Sequence, residues 1–186
     1  MASATEVQRL FFALWPDDSL RRTLYKVTRR PVRLSGGRPV PPTNFHITLA
    51  FLGSLDTAGG LLARQAADSV VGRSFELQLD RLGFWPEPGM LWLGAMQVPL
   101  AVQTLAADLA KALRLQGLAP DSKPFVPHVT LARKVVKPGE LGTLRPLHWP
   151  VREFALLSSL THARGSEYRP LAFWPLGSKA AGSREL

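Results

Sequence analysis

The sequence predicts a mixed α and β chain built from two similar halves. Three observations carry that reading. The phrase Phe45-His46-Ile47-Thr48-Leu49 returns 82 residues later as Pro127-His128-Val129-Thr130-Leu131. An apolar strand pattern followed by a helical one precedes each copy. A further strand pattern follows each copy, at an offset of 79 residues (Phe75 to Phe154). Landmarks that keep nearly constant spacing are most simply explained by an internal duplication.

The elements follow in order. Leu10–Trp15 is an apolar strand, and Asp17-Asp18-Ser19 then suits the N-terminus of a helix running to about Arg29. A Pro/Gly-rich loop, Ser35–Pro42, leads into the first motif strand. A helix over about Ala58–Val71 and a strand over Phe75–Asp80 complete the first half. The second half opens with the strand Met90–Ala95 and a helix over about Pro99–Leu115. That helix aligns Leu100, Thr104, Leu105, Leu109 and Leu113 on one face. Gly117–Pro127 is the loop into the second motif strand. A weaker helical pattern near Gly139–Leu144 and a strand over Phe154–Leu160 close the repeat.

Length and composition bound the remainder. The 186 residues suit one compact domain, or two small lobes sharing a core, over 1–177, with sequence halves of 8–86 and 88–176 and a tail at 178–186 expected to lie outside the fold. The absence of cysteine excludes disulfides and thiolate metal sites. No apolar run reaches a membrane-spanning length, and Glu6, Gln8 and Arg9 interrupt any leader-like N-terminus. A soluble, cytoplasmic protein is expected. The formal charge of +9 and Arg/Lys clusters at Arg21/Arg22, Arg29/Arg30/Arg33, Arg38 and Arg133/Lys134/Lys137 favour an anionic partner.

Within each motif strand, side chains alternate faces, so the histidine and the threonine point the same way while Ile47/Leu49 and Val129/Leu131 point into a core. Two such strands face to face would offer two imidazoles and two hydroxyls. One neutral imidazole can take a proton from water while its protonated counterpart gives one to a leaving oxygen, which suits a phosphoester. Thr48 and Thr130 would donate hydrogen bonds to the non-bridging oxygens. Arg133, five residues past His128, would point away from the cleft on a regular strand, so a bulge or strand end must re-aim it. Phe51 occupies the corresponding place after His46 and offers a stacking surface for a base, or simply a core side chain. His148, in a loop beside Trp149-Pro150, and His162, after a strand, are read as structural or exposed. Two histidines fall short of a zinc ligand set, so no metal is expected. There is no Gly-x-Ser-x-Gly elbow, Walker loop or dinucleotide fingerprint.

Paired His-x-Thr-Leu strands in a basic, duplicated chain resemble the two-histidine phosphoesterase superfamily. Arg9–Leu14, Asn44–Gly53 and Pro127–Arg133 are similar to the bacterial RNA 2′,3′-cyclic phosphodiesterases, also called 2′-5′ RNA ligases; Gly165–Leu171 is similar to their final hairpin. The resemblance implies a bilobal, internally duplicated α+β fold, with two antiparallel sheets flanking a central cleft and helices outside. It also implies a hydrolase that opens an RNA 2′,3′-cyclic phosphate to a 2′-phosphomonoester without metal or cofactor. His46 would be the proton donor and His128 the proton acceptor. Thr48, Thr130 and Arg133 would bind the phosphate, and Phe51 the terminal base or ribose. Near two-fold symmetry leaves open, from sequence, which histidine starts protonated. The expected partner is RNA with a 2′,3′-cyclic phosphate end, or a cyclic nucleotide, with no membrane, and the protein is expected to be a monomer. The competing readings are a 2′-5′ ligase or small cyclic-nucleotide phosphodiesterase using the same residues, and a non-catalytic basic RNA-binding module.

Overall fold

The computed structural model describes residues 7–141, 143–162, 165–177 and 184–185. Strand β1 (Gln8–Leu14) leads into helix α1 (Asp18–Leu34), where the Asp17 carboxylate accepts the Leu20 amide at 2.7 Å. The helix outlasts its expected end at Arg29. Pro31 removes only one donor from the helix, and the Val32 carbonyl accepts the Ser35 hydroxyl at 2.7 Å. A two-residue strand β2 (Arg38–Pro39) and a 3-10 turn (Pro42–Asn44) precede the first motif strand, β3 (Ile47–Leu55). Helix α2 (Thr57–Asp68) and the hairpin of β4 (Phe75–Trp85) and β5 (Met90–Gly94) follow. Helix α3 (Leu100–Leu115) then leads to β6 (His128–Arg133), the second motif strand. The chain continues through β7 (Thr143–Val151), β8 (Glu153–His162), β9 (Gly165–Pro175) and β10 (Arg184–Glu185).

Several expectations require correction. No helix forms over Gly139–Leu144: residues 139–141 are irregular and β7 starts at Thr143, because this stretch supplies an edge partner for β4. For the same reason His148 lies on a strand rather than in a loop, opposite Gln78, with its Nδ1 2.8 Å from Glu76 Oε1. On α3 the buried face is Val102, Leu105, Ala106, Leu109 and Leu113, whereas Leu100 and Thr104 are exposed. Of the expected tail, Arg184 and Glu185 pair with Phe173 and Ala172, and the rest lies outside the described residues.

The fold is α+β, with antiparallel pairing throughout the described strands. Instead of two separate sheets, the strands run in one path, β10-β9-β8-β1-β3-β6-β5-β4-β7, with β2 beside β6. The central joint is slender: β3 and β6 meet at the single pair Ile47↔Val129. The two sides of this joint are not the two sequence halves. The second half lends β8 and β9 to the side of β1, and the first half lends β2 and β4 to the side of β5 and β6.

Period-two alternation sorts the sheet into two faces. Leu10, Phe12 and Leu14 of β1, with Phe154 and Leu156 of β8, join the main core together with buried residues of all three helices. Phe11, Ala13, Ala155, Leu157 and Phe173 form a second cluster on the opposite face, with Trp15, Phe51 and Tyr168 packed against it. That second face carries the site.

Candidate active site

Both motif strands carry the same irregularity at the same place. On β3, Ala50 pairs with Phe12 and Thr48 with Ala13, leaving Leu49 as an extra residue. On β6, Ala132 pairs with Leu91 and Thr130 with Trp92, leaving Leu131 extra. Each bulge reverses the alternation beyond it. Leu49-Ala50 and Leu131-Ala132 are therefore buried as consecutive pairs, and Phe51 and Arg133 swing onto the face of the histidine and threonine. This is the re-aiming that Arg133 requires if it is to reach the cleft.

The six residues singled out in the sequence, His46, Thr48, Phe51, His128, Thr130 and Arg133, line one chamber of 340 Å³. An outer chamber of 440 Å³ opens beside it, and His46, Thr130, Arg133, Ser166 and Tyr168 belong to both.

The two imidazoles are held alike. His46 Nδ1 lies 2.7 Å from the Asn44 carbonyl, and His128 Nδ1 lies 2.7 Å from the Val126 carbonyl. A carbonyl only accepts, so each Nδ1 carries the hydrogen and each Nε2 is left for chemistry. His46 Nε2 accepts from the Thr48 hydroxyl at 3.0 Å when the ring is neutral. Thr130 donates to the Met90 sulfur at 3.4 Å, a weak acceptor that a phosphate oxygen would readily replace. Aromatic rings fix the planes: Tyr168 meets His46 edge-on at 5.1 Å, and Trp85 meets His128 edge-on at 4.6 Å.

Electrostatics favour the uncharged rings in the free protein. Burial pushes the His46 pKa down to about 4, against the raising effect of its hydrogen bond to Asn44, and the charges of His128, Arg133 and Arg21 push the same way as burial. Burial also lowers the His128 pKa, with Arg133 assisting and the Val126 hydrogen bond opposing. An anion seated among these groups reverses the charge contribution and raises both.

Several site residues escaped the sequence reading. Asn44 is buried, and its Nδ2 donates to the Ser166 carbonyl at 2.6 Å, tying the carbonyl that orients His46 to the β8–β9 turn region. Tyr168 reaches the cleft from β9, and Trp85 from the end of β4. Arg9 places its guanidinium 4.8 Å over the Phe51 ring. The alternation Arg9-Phe11-Ala13 could have put Arg9 on the cleft face; Tyr168 and Trp85 arrive through strand exchange, which no local pattern announces. His162 lines the outer chamber, whereas His148 lines neither chamber. Among the described residues, no three His, Cys, Asp or Glu side chains gather as a metal site would need. No described helix is long and apolar enough to cross a membrane.

Fold and site together define an α+β protein whose cleft gathers two histidines, two threonines and an arginine. The sequence profile of the 2′-5′ RNA ligase superfamily matches residues 16–163, and the chain belongs to that superfamily. It is 35% identical over 179 residues to the RNA 2′,3′-cyclic phosphodiesterase of Escherichia coli (strain K12), covering 92% of this chain and 98% of that protein. It is 31% identical over 182 residues to the protein of the same name from Thermus thermophilus, covering 88% of this chain and 87% of that one. The crystal structure of E. coli LigT complexed with 3′-AMP superposes with a TM-score of 0.81 at 33% identity, over 93% of this chain and 100% of that one.

Proposed function

We propose that this protein is a metal-independent RNA 2′,3′-cyclic phosphodiesterase producing a 2′-phosphomonoester. The observation that carries the reading is the pair of imidazoles that line one small chamber, their Nδ1 atoms both committed to carbonyls, which leaves Nε2 of each for proton transfer. His128 Nε2 takes a proton from water as its oxygen attacks phosphorus. The P–O3′ bond breaks, and His46 Nε2 gives its proton to the departing O3′. Thr48, Thr130 and Arg133 hold the non-bridging oxygens, and Phe51 lies against the terminal base or ribose. Each proton transfer contributes about 10²–10⁴-fold. The names of the relatives support RNA as the substrate class. A single domain over 1–177, acting in the cytoplasm as a monomer, completes the proposal.

The strongly depressed pKa of His46 favours a second assignment with the roles exchanged, since a ring that titrates at about 4 is hard to load with a proton. The substrate must raise His46 if it is the donor. A substrate with bridging sulfur at the 3′ position separates the two, because a thiolate leaves without a proton. Sulfur that rescues His46→Ala and not His128→Ala establishes His46 as donor, and the reverse pattern exchanges the roles. Ligation of a 5′-hydroxyl RNA, tested in the same mixtures, distinguishes hydrolase from ligase.

A further inference from the structure

Beyond the shared His46, Thr130 and Arg133, the lining of the outer chamber has no part in the chemistry just described. Its cationic element is Arg38, which β2 places directly opposite Arg133 on β6. Paired positions on antiparallel strands bring two side chains together on one face. Such a pair is well suited to successive anions. Arg133 lines both chambers, whereas Arg38 lines only the outer one. Pro39, Val40 and Pro41 give the outer chamber an apolar wall against which a nucleobase can lie. Its lining carboxylate, Glu167, is engaged by Arg169 Nε at 2.9 Å and by His162 Nε2 at 3.6 Å. Tyr168 stands where the two chambers join.

We propose that the outer chamber is a subsite for the nucleotide preceding the cyclic end, with Arg38 binding the phosphodiester that links the two nucleotides, so that the substrate is an RNA end of at least two residues. This deepens the phosphodiesterase reading and rests on it. Scissile phosphate on Arg133 and the preceding phosphate on Arg38 would place one nucleotide in each chamber. The 440 Å³ of the outer chamber is in the range of small-ligand sites.

The test compares 2′,3′-cyclic AMP with a diadenylate ending in a 2′,3′-cyclic phosphate, for wild type, Arg38→Gln and Arg38→Lys. Wild type should favour the dinucleotide in kcat/KM by about tenfold or more, the scale of one charge-assisted hydrogen bond. Arg38→Gln should collapse that ratio towards one, and Arg38→Lys should keep part of it. The salt dependence of dinucleotide turnover should also flatten by about 0.7 in the log–log slope for Gln, one phosphate contact being lost. A wild-type ratio near one, with both substrates turned over, overturns the subsite and leaves the phosphodiesterase standing. An Arg38→Gln variant that loses both substrates equally also overturns it. Absence of turnover by wild type on both substrates overturns both readings.

Discussion

Acidification should cost this protein stability through His46, and the size of that cost follows from the site. The ordinary imidazole pKa of 6.5 falls to about 4 in the folded protein. Between these values the unfolded chain binds the proton and the folded chain does not. Stability is therefore full above pH 6.5, falls as pH drops through the window, and is lost in full below pH 4. The gap corresponds to about 3 kcal/mol at about 1.36 kcal/mol per pH unit. The ring is half-buried and solvent reaches it from the cleft, which brings the expected loss at pH 4 to about 2 kcal/mol. Urea unfolding at pH 7 and pH 4 measures the loss for wild type and for His46→Asn, in which the other titrating groups remain. The wild type should lose about 2 kcal/mol more than the variant between the two pH values. Equal losses, or an NMR titration placing His46 at or above 6.5, would refute the reasoning. Inorganic phosphate should raise the NMR-observed pKa of both imidazoles; insensitivity to phosphate would mean that the anion does not sit between them.

Three further outcomes are expected. Asn44→Ala removes the donor to the Ser166 carbonyl and should cost about 1–3 kcal/mol in urea unfolding, with kcat falling as the backbone carbonyl that holds His46 loses its tie to the β8–β9 turn region; unchanged kcat would show that the tie is only structural. Phe51→Ala should weaken binding of the 2′-phosphate product by about 1–3 kcal/mol if the base stacks there, as read by calorimetry. Gly83→Ala would drive a methyl group into the Trp92 indole, which packs on His128, and should cost about 1–3 kcal/mol of stability along with activity; a variant of wild-type stability would contradict the tight fit.

The parts of this molecule that were legible in the sequence are those written in short-range periodicity. His46/Thr48 and His128/Thr130 could be paired because two residues along a strand return to one face, and the copies could be matched because their spacing repeats. The need for a bulge before Arg133 was also legible, since five residues is an odd number of strand steps. Which residue bulges was not: Leu49 and Leu131 are identified only by the partner strands β1 and β5. The β7 segment was misread because an edge strand containing Pro146 and Pro150 lacks clean alternation, and its pairing with β4 is a long-range choice. Tyr168 and Asn44 were missed for a related reason. Their roles depend on strand exchange across the centre of the sheet, and on a backbone carbonyl rather than on a side-chain pattern.

The central claim is that His46 and His128 together carry the proton transfers. Its most direct test is hydrolysis of a short RNA ending in a 2′,3′-cyclic phosphate, in EDTA, by wild type, His46→Ala and His128→Ala, with circular dichroism confirming that each variant is folded. The account predicts a 2′-phosphate product from wild type, and turnover reduced by about 10²-fold or more in either variant. Near-wild-type hydrolysis by either folded variant would contradict it.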